Sequence, residues 1–473
     1  MTTLLARPDV ANARPARRVP VALVIVAAAL PMFMANLDNL VMTNALPAIS
    51  ADLGAGVEEL QWFVNSFTLA FATFILLAAA LGDRFGRRTV FLVGIAVFTI
   101  ASVLSALSTE PWMLIASRGV QGLGAAAIMP LSLTLLAGAV PPQRRALAIG
   151  IWGGVAGLGV ALGPLVGGAV VEGLNWQSIF WLNVPVGILA VPLVLLALPN
   201  TLGERVRADV VGVALAGLGI LGVVYGIVRG NEAGWDSTEV LGSLVVGVAL
   251  LVAFVIWESR VTAPLLPLRL FRDRSFSVAN VVGLVFSFGA FGAIFILIQF
   301  LQVVQGHSPL EAGLMTMPWT LAPMVVAPLS GLVANRIGTR PLVVVGLAFL
   351  AFGVLWLAGS VDAEIEYATM LPAFIAAGIG MGMVFAPLST AVLATMTGGD
   401  HAKASGTNST LREIGTALGV AALTAIFVGA GGELTPSGYV DAAIPAITVG
   451  GLALAAAAVL ALTLPSGRVA RAL

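Results

Sequence analysis

Three ionisable side chains interrupt stretches that are otherwise apolar. Asp38 stands inside MFMANLDNLVMTNALP, Arg118 inside LIASRGVQGLGAAAIMP, and Glu413 beside Arg412 in TLREIGTALG. A charge near the bilayer centre costs at least about 2.5 kcal/mol on insertion scales, so each marks a candidate function. A carboxylate held there can take up and release a proton. An arginine cannot shed its own and needs an anion or a set of acceptors. Asp38 and Arg118 are therefore the candidate proton-coupling pair, with Glu413 as a second titratable group. Two alternatives stay open: a structural hydrogen-bonding role for Asp38, and for Glu413 a structural pair about two and a half turns from its helix end.

Other chemistries lack their residues. The chain has no cysteine, which removes disulfides, thiolate catalysis and Cys-ligated metal clusters. Lys403 is the only lysine, and its setting, GGDHAKAS, cannot form a phosphate-binding loop. His307 and His401 fall far apart in predicted loops, so no metal site is expected. A nucleophile–base pair is missing too, and the 23 basic residues are matched by 23 acidic ones. No enzyme activity, cofactor or nucleic-acid partner is expected.

The elements that position these groups are membrane helices. Of the 473 residues 59% are hydrophobic and 10% charged, with a mean hydropathy of +1.03, whereas soluble domains run near 25% charged. At 1.5 Å per residue across about 30 Å of hydrocarbon, about fourteen apolar runs are long enough to cross, from 20–47 and 58–81 to 405–429 and 440–464. With the N-terminus inside, all of the 23 lysines and arginines except Arg118, Arg229 and Arg412 fall on one side, Arg7, Arg14, Arg17, Arg18, Arg205, Arg207, Arg468 and Arg471 among them. Acids such as Asp52, Glu58, Glu110, Glu311 and Glu433 crowd the opposite loops. Such a bias is the positive-inside signature, and it predicts a multi-pass protein with both termini cytoplasmic. The ARPARRVP start is expected to lead into a retained first span rather than a cleaved signal, since the apolar run continues too far.

An internal echo points to duplication: GDRFGRR from Gly82 follows the second span and ANRIGTR from Ala334 follows the tenth. Two six-helix bundles would put the echo after the eighth span, so two helices, at 209–229 and 240–258, are inserted between them. The expected domains are a six-helix bundle over 1–200, a linker with the two extra helices over 201–274, and a second six-helix bundle over 275–473. Parallel repeats of this kind are a transporter signature. In the fifth span GVAGLGVALGPLVGG sets Gly159, Gly163 and Gly167 four residues apart, with Gly168 beside them. Small residues at that spacing let helix backbones touch, and Pro164 removes a backbone donor and bends the helix.

Taken in order, these stretches resemble the major facilitator superfamily, and within it the fourteen-span branch of drug/proton antiporters, over essentially the whole chain. LDNLVMTNALP is similar to that branch's first-span motif, LGDRFGRR to its cytoplasmic loop motif, RGVQGLGAA to its fourth-span arginine motif, and GVALGPLVGG to its antiporter motif. NWQSIFWLNVPVG, PLRLFRDRSF and SGTNSTLREIGTALG look like branch-specific stretches. Ala79, Leu40, Thr43 and Asn335 depart from the family's pattern.

The resemblance implies a proton-coupled exporter of small amphipathic compounds such as drugs or antibiotics, in a bacterial inner membrane and functional as a monomer. The competing possibility is a transporter of lipid or an endogenous metabolite without proton antiport. The resemblance also implies a gating loop of Asp83, Arg84, Gly86, Arg87 and Arg88 that ties cytoplasmic helix ends together. A carboxylate there can cap a neighbouring helix such as the span starting near Ser405; the alternative is that Arg84, Arg87 and Arg88 are topology anchors only. Trp62, Phe63, Gln121, Met317 and Trp319 are candidates for lining a substrate cavity, with packing roles as the alternative. In the family it resembles, some exporters of dications carry an acid well inside the tenth span. That span here has none, Glu311 lying at its outer edge, so the resemblance implies neutral or singly charged cargo rather than dications.

Overall fold

The computed structural model describes residues 19–203, 209–262, 264–394, 396 and 400–465. The first half contains α1 (Val21–Leu53), α2 (Val57–Phe85), α3 (Arg87–Ala106), α4 (Pro111–Ala139), α5 (Pro142–Gly173), a four-residue α6 (Ser178–Trp181) and α7 (Asn183–Ala197). Between the halves run α8 (Val210–Ala233) and α9 (Thr238–Glu258). The second half contains α10 (Arg274–Gln299), α11 (Pro309–Ile337), α12 (Thr339–Ser360), α13 (Tyr367–Leu393), α14 (His401–Gly429) and α15 (Pro436–Ala461). Among the described residues there is no strand. Among the described residues thirteen spans are long and apolar enough to cross a membrane, α6 with α7 counting as one, and the bent α5 makes a fourteenth. The basic residues predicted for the two termini and Arg205 and Arg207 lie outside the described residues.

In the first half α1 packs on α5, α2 and α3 pack on α4, and α7 closes against α1 and α3. In the second, α10 packs on α14 and α15, and α13 on α11 and α12. The halves meet along two seams, α5 on α11 and α2 on α14, and α8 seats against both α2 and α14. Close approach rests on small residues, as at Gly124, where a Cβ would stand 2.8 Å from the Gly94 carbonyl of α3. α9 is the least buried span.

The sequence echo has a structural counterpart. Gly86 (φ 105°) and Gly338 (φ 90°) each break the chain between consecutive helices in a backbone conformation that favours glycine. Each also donates its N–H to the carbonyl four residues back, Gly82 or Ala334. The first helix runs further than expected, past Pro47 to Leu53, because an internal proline removes one donor without ending a helix that neighbours support. The helix stops at Gly54, which adopts the left-handed conformation.

Arg84, Arg87, Arg88, Arg144, Arg145, Arg336, Arg340 and Lys403 all flank helix junctions at one end of the bundle. Glu58, Glu59, Glu110, Glu172, Glu311 and Glu433 flank the junctions at the other. These are called below the arginine-rich end and the acidic end.

Candidate functional site

Asp38 and Arg118 meet. Arg118 Nη1 donates to Asp38 Oδ2, and both side chains are essentially closed to solvent, at 0% and 1% exposure. Asp38 Oδ1 accepts from Gln121 Nε2 at 2.8 Å and from Asn183 Nδ2 at 2.7 Å. Arg118 also donates from Nη1 to Gln121 Oε1 at 2.7 Å and from Nε to the Phe63 carbonyl at 3.2 Å. Its guanidinium lies 4.4 Å from the Phe67 ring centre, close enough for a cation–π attraction. Ser102 of α3 completes the cluster, accepting from Gln121 at 3.0 Å and Asn183 at 3.2 Å while donating to the Phe98 carbonyl at 2.8 Å.

Four helices therefore supply one buried, charge-balanced network: α1, α3, α4 and α7. Arg118 and Gln121 sit three residues apart on α4 and so share a face. Every group bonded to Asp38 is an N–H donor. Two of the three donors, Gln121 and Asn183, are amides that also carry an acceptor oxygen. A buried ion pair adds little stability as such, but removing one partner leaves an uncompensated charge at a cost of about 3–5 kcal/mol.

The α5 helix shows how this bundle meets the other half. Pro164 lacks the N–H that would bond the carbonyl four residues back, and the helix bends by 40° between Gly159 and Ala161. Gly159, Gly163 and Gly167 face α1, where a Cβ at Gly159 would stand 3.0 Å from the Phe33 carbonyl and one at Gly167 3.0 Å from Val41 Cα. At 100° per residue Gly150, Gly153, Gly154, Gly157 and Gly168 lie roughly on the opposite face. Gly168, at the acidic end, packs on Pro309 and Leu310 of α11, and Gly313 of α11 packs on the Pro164 carbonyl. Thr320 of α11 donates to the Ala161 carbonyl at 3.2 Å. Beyond that point the face is bare: Gly157, Gly154, Gly153 and Gly150 have no neighbouring atom where a Cβ would sit, and neither does Gly331 of α11. The two helices thus touch at the acidic end and part toward the arginine-rich end.

The model of the Major Facilitator Superfamily matches residues 26–420 and 279–473. The chain belongs to the major facilitator superfamily. It is 36% identical to the multidrug resistance protein Stp of Mycobacterium tuberculosis over 85% of this chain and 75% of that protein. It is 33% identical to a tetracenomycin C resistance and export protein of Streptomyces glaucescens over 89% of this chain and 79% of that one. Among solved structures it resembles an auto-inhibited peptide transporter of the POT family (TM-score 0.66, 16% identity, covering 94% and 96% of the two chains). It also resembles the E. coli xylose transporter XylE in a partially occluded inward-open conformation (TM-score 0.64, 14% identity, covering 93% and 96%). At those identities the likeness concerns the fold alone.

In this major facilitator protein the loop motif lies at the arginine-rich end. The contact expected between Asp83 and the start of α14 is absent among the described residues: Asp83 accepts from its own neighbour Arg87 at 2.7 Å. The Asp83 carbonyl accepts from Gly203 N at 3.0 Å and Arg87 N donates to the Thr201 carbonyl at 2.9 Å, which ties the loop to the segment leading into α8. Arg88 reaches the Leu198 carbonyl at 3.1 Å, and Arg84 stacks against Phe85 at 5.2 Å. The α2–α14 seam itself stays closed near this end, where Leu76 lies against Gly406, and the Asp83 carboxylate is turned to Arg87 instead. Asp83→Asn should therefore slow turnover while leaving substrate affinity near the wild-type value, as equilibrium binding and initial-rate transport would read; equal losses in both would argue against a gate.

The remaining candidates divide. Phe63 and Trp319 are buried in this form, Trp319 beside Phe374 with ring centres 6.3 Å apart. Gln121 belongs to the Asp38 network. Met317 is part-exposed on α11, and Trp62 lines a groove of about 580 Å³ at the acidic end with Glu58, Glu59, Trp112 and Ile115. Arg412 and Glu413 form no ion pair with each other among the described residues; Arg412 turns onto the Phe385 ring of α13 at 3.9 Å. Sequence reasoning missed Asn183 and Ser102, whose signal is a polar residue isolated within an apolar run.

The α1–α5 contact carries a further expectation. Gly163→Leu or Gly167→Leu should abolish transport while leaving membrane insertion intact, because a leucine there meets Leu40 or the Val41 backbone. Near-normal uptake by both variants at normal abundance would refute it.

Proposed function

We propose that the protein is a proton-coupled exporter of small amphipathic compounds such as drugs or antibiotics, working by alternating access. The Asp38 site carries this proposal. Since only donors face the carboxylate, taking up a proton goes with the release of Arg118 or the rearrangement of the Gln121 or Asn183 amide. Those partners sit on α4 and α7 while Asp38 sits on α1, so the event loosens one helix from two others. The names of the relatives, one for multidrug resistance and one for tetracenomycin C export, support the cargo class.

Under the positive-inside rule the arginine-rich end faces the cytoplasm, so both termini are cytoplasmic and this form is inward-facing. The membrane is the inner membrane of a bacterium. One chain holds both halves of the pathway, so the monomer is the working unit.

The test is transport of a fluorescent amphipathic monocation into proteoliposomes, with and without an imposed pH gradient. Accumulation against the cation's own gradient only when the pH gradient is present, with proton movement in the opposite direction, is the expected result. Downhill transport indifferent to the pH gradient would favour a carrier of lipid or metabolite without antiport.

A further inference from the structure

Asn44 lies six residues beyond Asp38 on α1, about 9 Å closer to the acidic end. It is completely buried. Its amide nitrogen donates to the Pro164 carbonyl of α5 at 2.8 Å and to the Pro309 carbonyl, the first residue of α11, at 2.7 Å. Gln302 Nε2 in turn donates to the Asn44 side-chain oxygen at 2.8 Å and to its backbone carbonyl at 3.0 Å. Gln302 sits in a single π turn, Phe300–Val304, that closes α10. Such turns are uncommon, and their extra residue re-aims the side chains they carry. One asparagine therefore joins two helices of the first half to two elements of the second.

We infer that the Asn44–Gln302 pair is the fastening that keeps the acidic end shut, and that its release is the step by which that end opens. Three features carry this. Both hydrogens of the Asn44 amide are used, so the side chain is anchored in both halves at once. The Asn44 side chain itself is buried and its bonds across the halves are part-buried, whereas another link between the same halves, from Leu310 N to Glu172 at 3.3 Å, is exposed to competing water. Finally, the pair is reversible by design of its chemistry: parting the halves admits water, and water can replace each lost hydrogen bond, so the open form carries no stranded polar group. An apolar contact of the same size would lose that symmetry between shut and open. Because Asn44 and Asp38 share α1, a shift of that helix on protonation reaches the fastening directly.

This inference rests on the alternating-access proposal, and the experiment separates the two. The chain has no cysteine, so Gly173→Cys on α5 and Leu314→Cys on α11, both exposed and at the acidic end in different halves, accept nitroxide labels without background. Spin-label distances are then measured in liposomes for the full chain, alone and carrying Asn44→Ala or Gln302→Met. Hydrogen bonds between membrane helices average about threefold each and reach about twentyfold. Loss of this set should thus raise the ratio of long-distance to short-distance populations by about tenfold, equivalent to about 1.4 kcal/mol.

The methionine variant keeps side-chain length, so a shift in both variants identifies the hydrogen bonds rather than a cavity. An unchanged ratio in Gln302→Met, in protein that binds the fluorescent cation normally, overturns the fastening. A labelled parent that shows two populations responding to pH, with no shift in either variant, overturns it while leaving alternating access standing. A single distance in parent and variants alike, at every pH, overturns both.

Discussion

Oxidising a Gly154→Cys/Ala327→Cys double variant should stop transport completely, and reduction should restore it. α5 and α11 run antiparallel, and their existing contacts set a register in which Pro164 meets Gly313 and Ala161 meets Thr320. Continued toward the arginine-rich end, the second pairing brings Gly157 to Met324, Gly154 to Ala327 and Gly150 to Gly331. None of these glycines has a neighbour in the present form. A face of four glycines with nothing against it is poorly explained by lipid contact, since a glycine exposes helix backbone and lacks helix propensity. It suits a surface that a second helix covers when the arginine-rich end closes.

A disulfide needs Cα atoms within about 7 Å, so it can form only in the closed form and then holds it. Because the chain has no cysteine of its own, any redox-dependent block belongs to the introduced pair. The measurement is uptake into proteoliposomes before oxidation, after oxidation, and after reduction, with the cross-link followed by mass spectrometry. Full activity in quantitatively cross-linked protein would show that the glycine face does not close on α11.

Asp38→Asn should abolish uphill, pH-driven export yet preserve substrate binding and counterflow exchange. The amide keeps an oxygen toward Asn183 and Gln121 but cannot accept and release a proton. It also leaves Arg118 buried without a counter-charge, which should lower stability by about 3–5 kcal/mol. Combining it with Arg118→Gln removes the stranded charge. That double variant should regain most of the lost thermal stability in detergent without regaining uphill transport, which separates the electrostatic role of the pair from its coupling role. Wild-type pumping by Asp38→Asn would make the carboxylate structural and turn attention to Glu413.

The encounter of Asp38 with Arg118 is legible in the sequence because isolated charges in apolar runs have few ways to be satisfied. Their helices and the loop echo are legible for the same reason that hydropathy works at all: backbone polar groups in lipid must be paired within the helix. Asn183, Ser102 and Asn44 are harder to find. A neutral polar residue is cheap enough in a helix to need no partner from elsewhere, so its position carries little weight until the neighbouring helix is known. The glycine spacing in α5 is readable, and at 100° per residue it even yields two faces. Which face meets α1 and which meets α11 depends on tertiary packing. Phe63 and Trp319 are buried in this form, and the sequence does not foretell that, because a large apolar side chain fits a packed seam as well as a binding wall.

One long edge of the molecule is fastened from end to end. At the acidic end α8 is bonded to α2 through Arg229 and Glu58 at 3.1 Å, and to α14 through Asn231 and the Ala425 carbonyl at 2.6 Å. At the arginine-rich end Leu76 of α2 still lies against Gly406 of α14. In mechanical terms this is a book whose spine is reinforced by the inserted pair and whose covers part along the fore-edge, between α5 and α11. A fore-edge opens sideways, into the leaflet, and this one is flanked by exposed Leu147, Ile151, Leu329 and Leu332. On the proposed function, an oily solute is expected to reach the interior from within the membrane, already concentrated there by its own partitioning, without first passing through water.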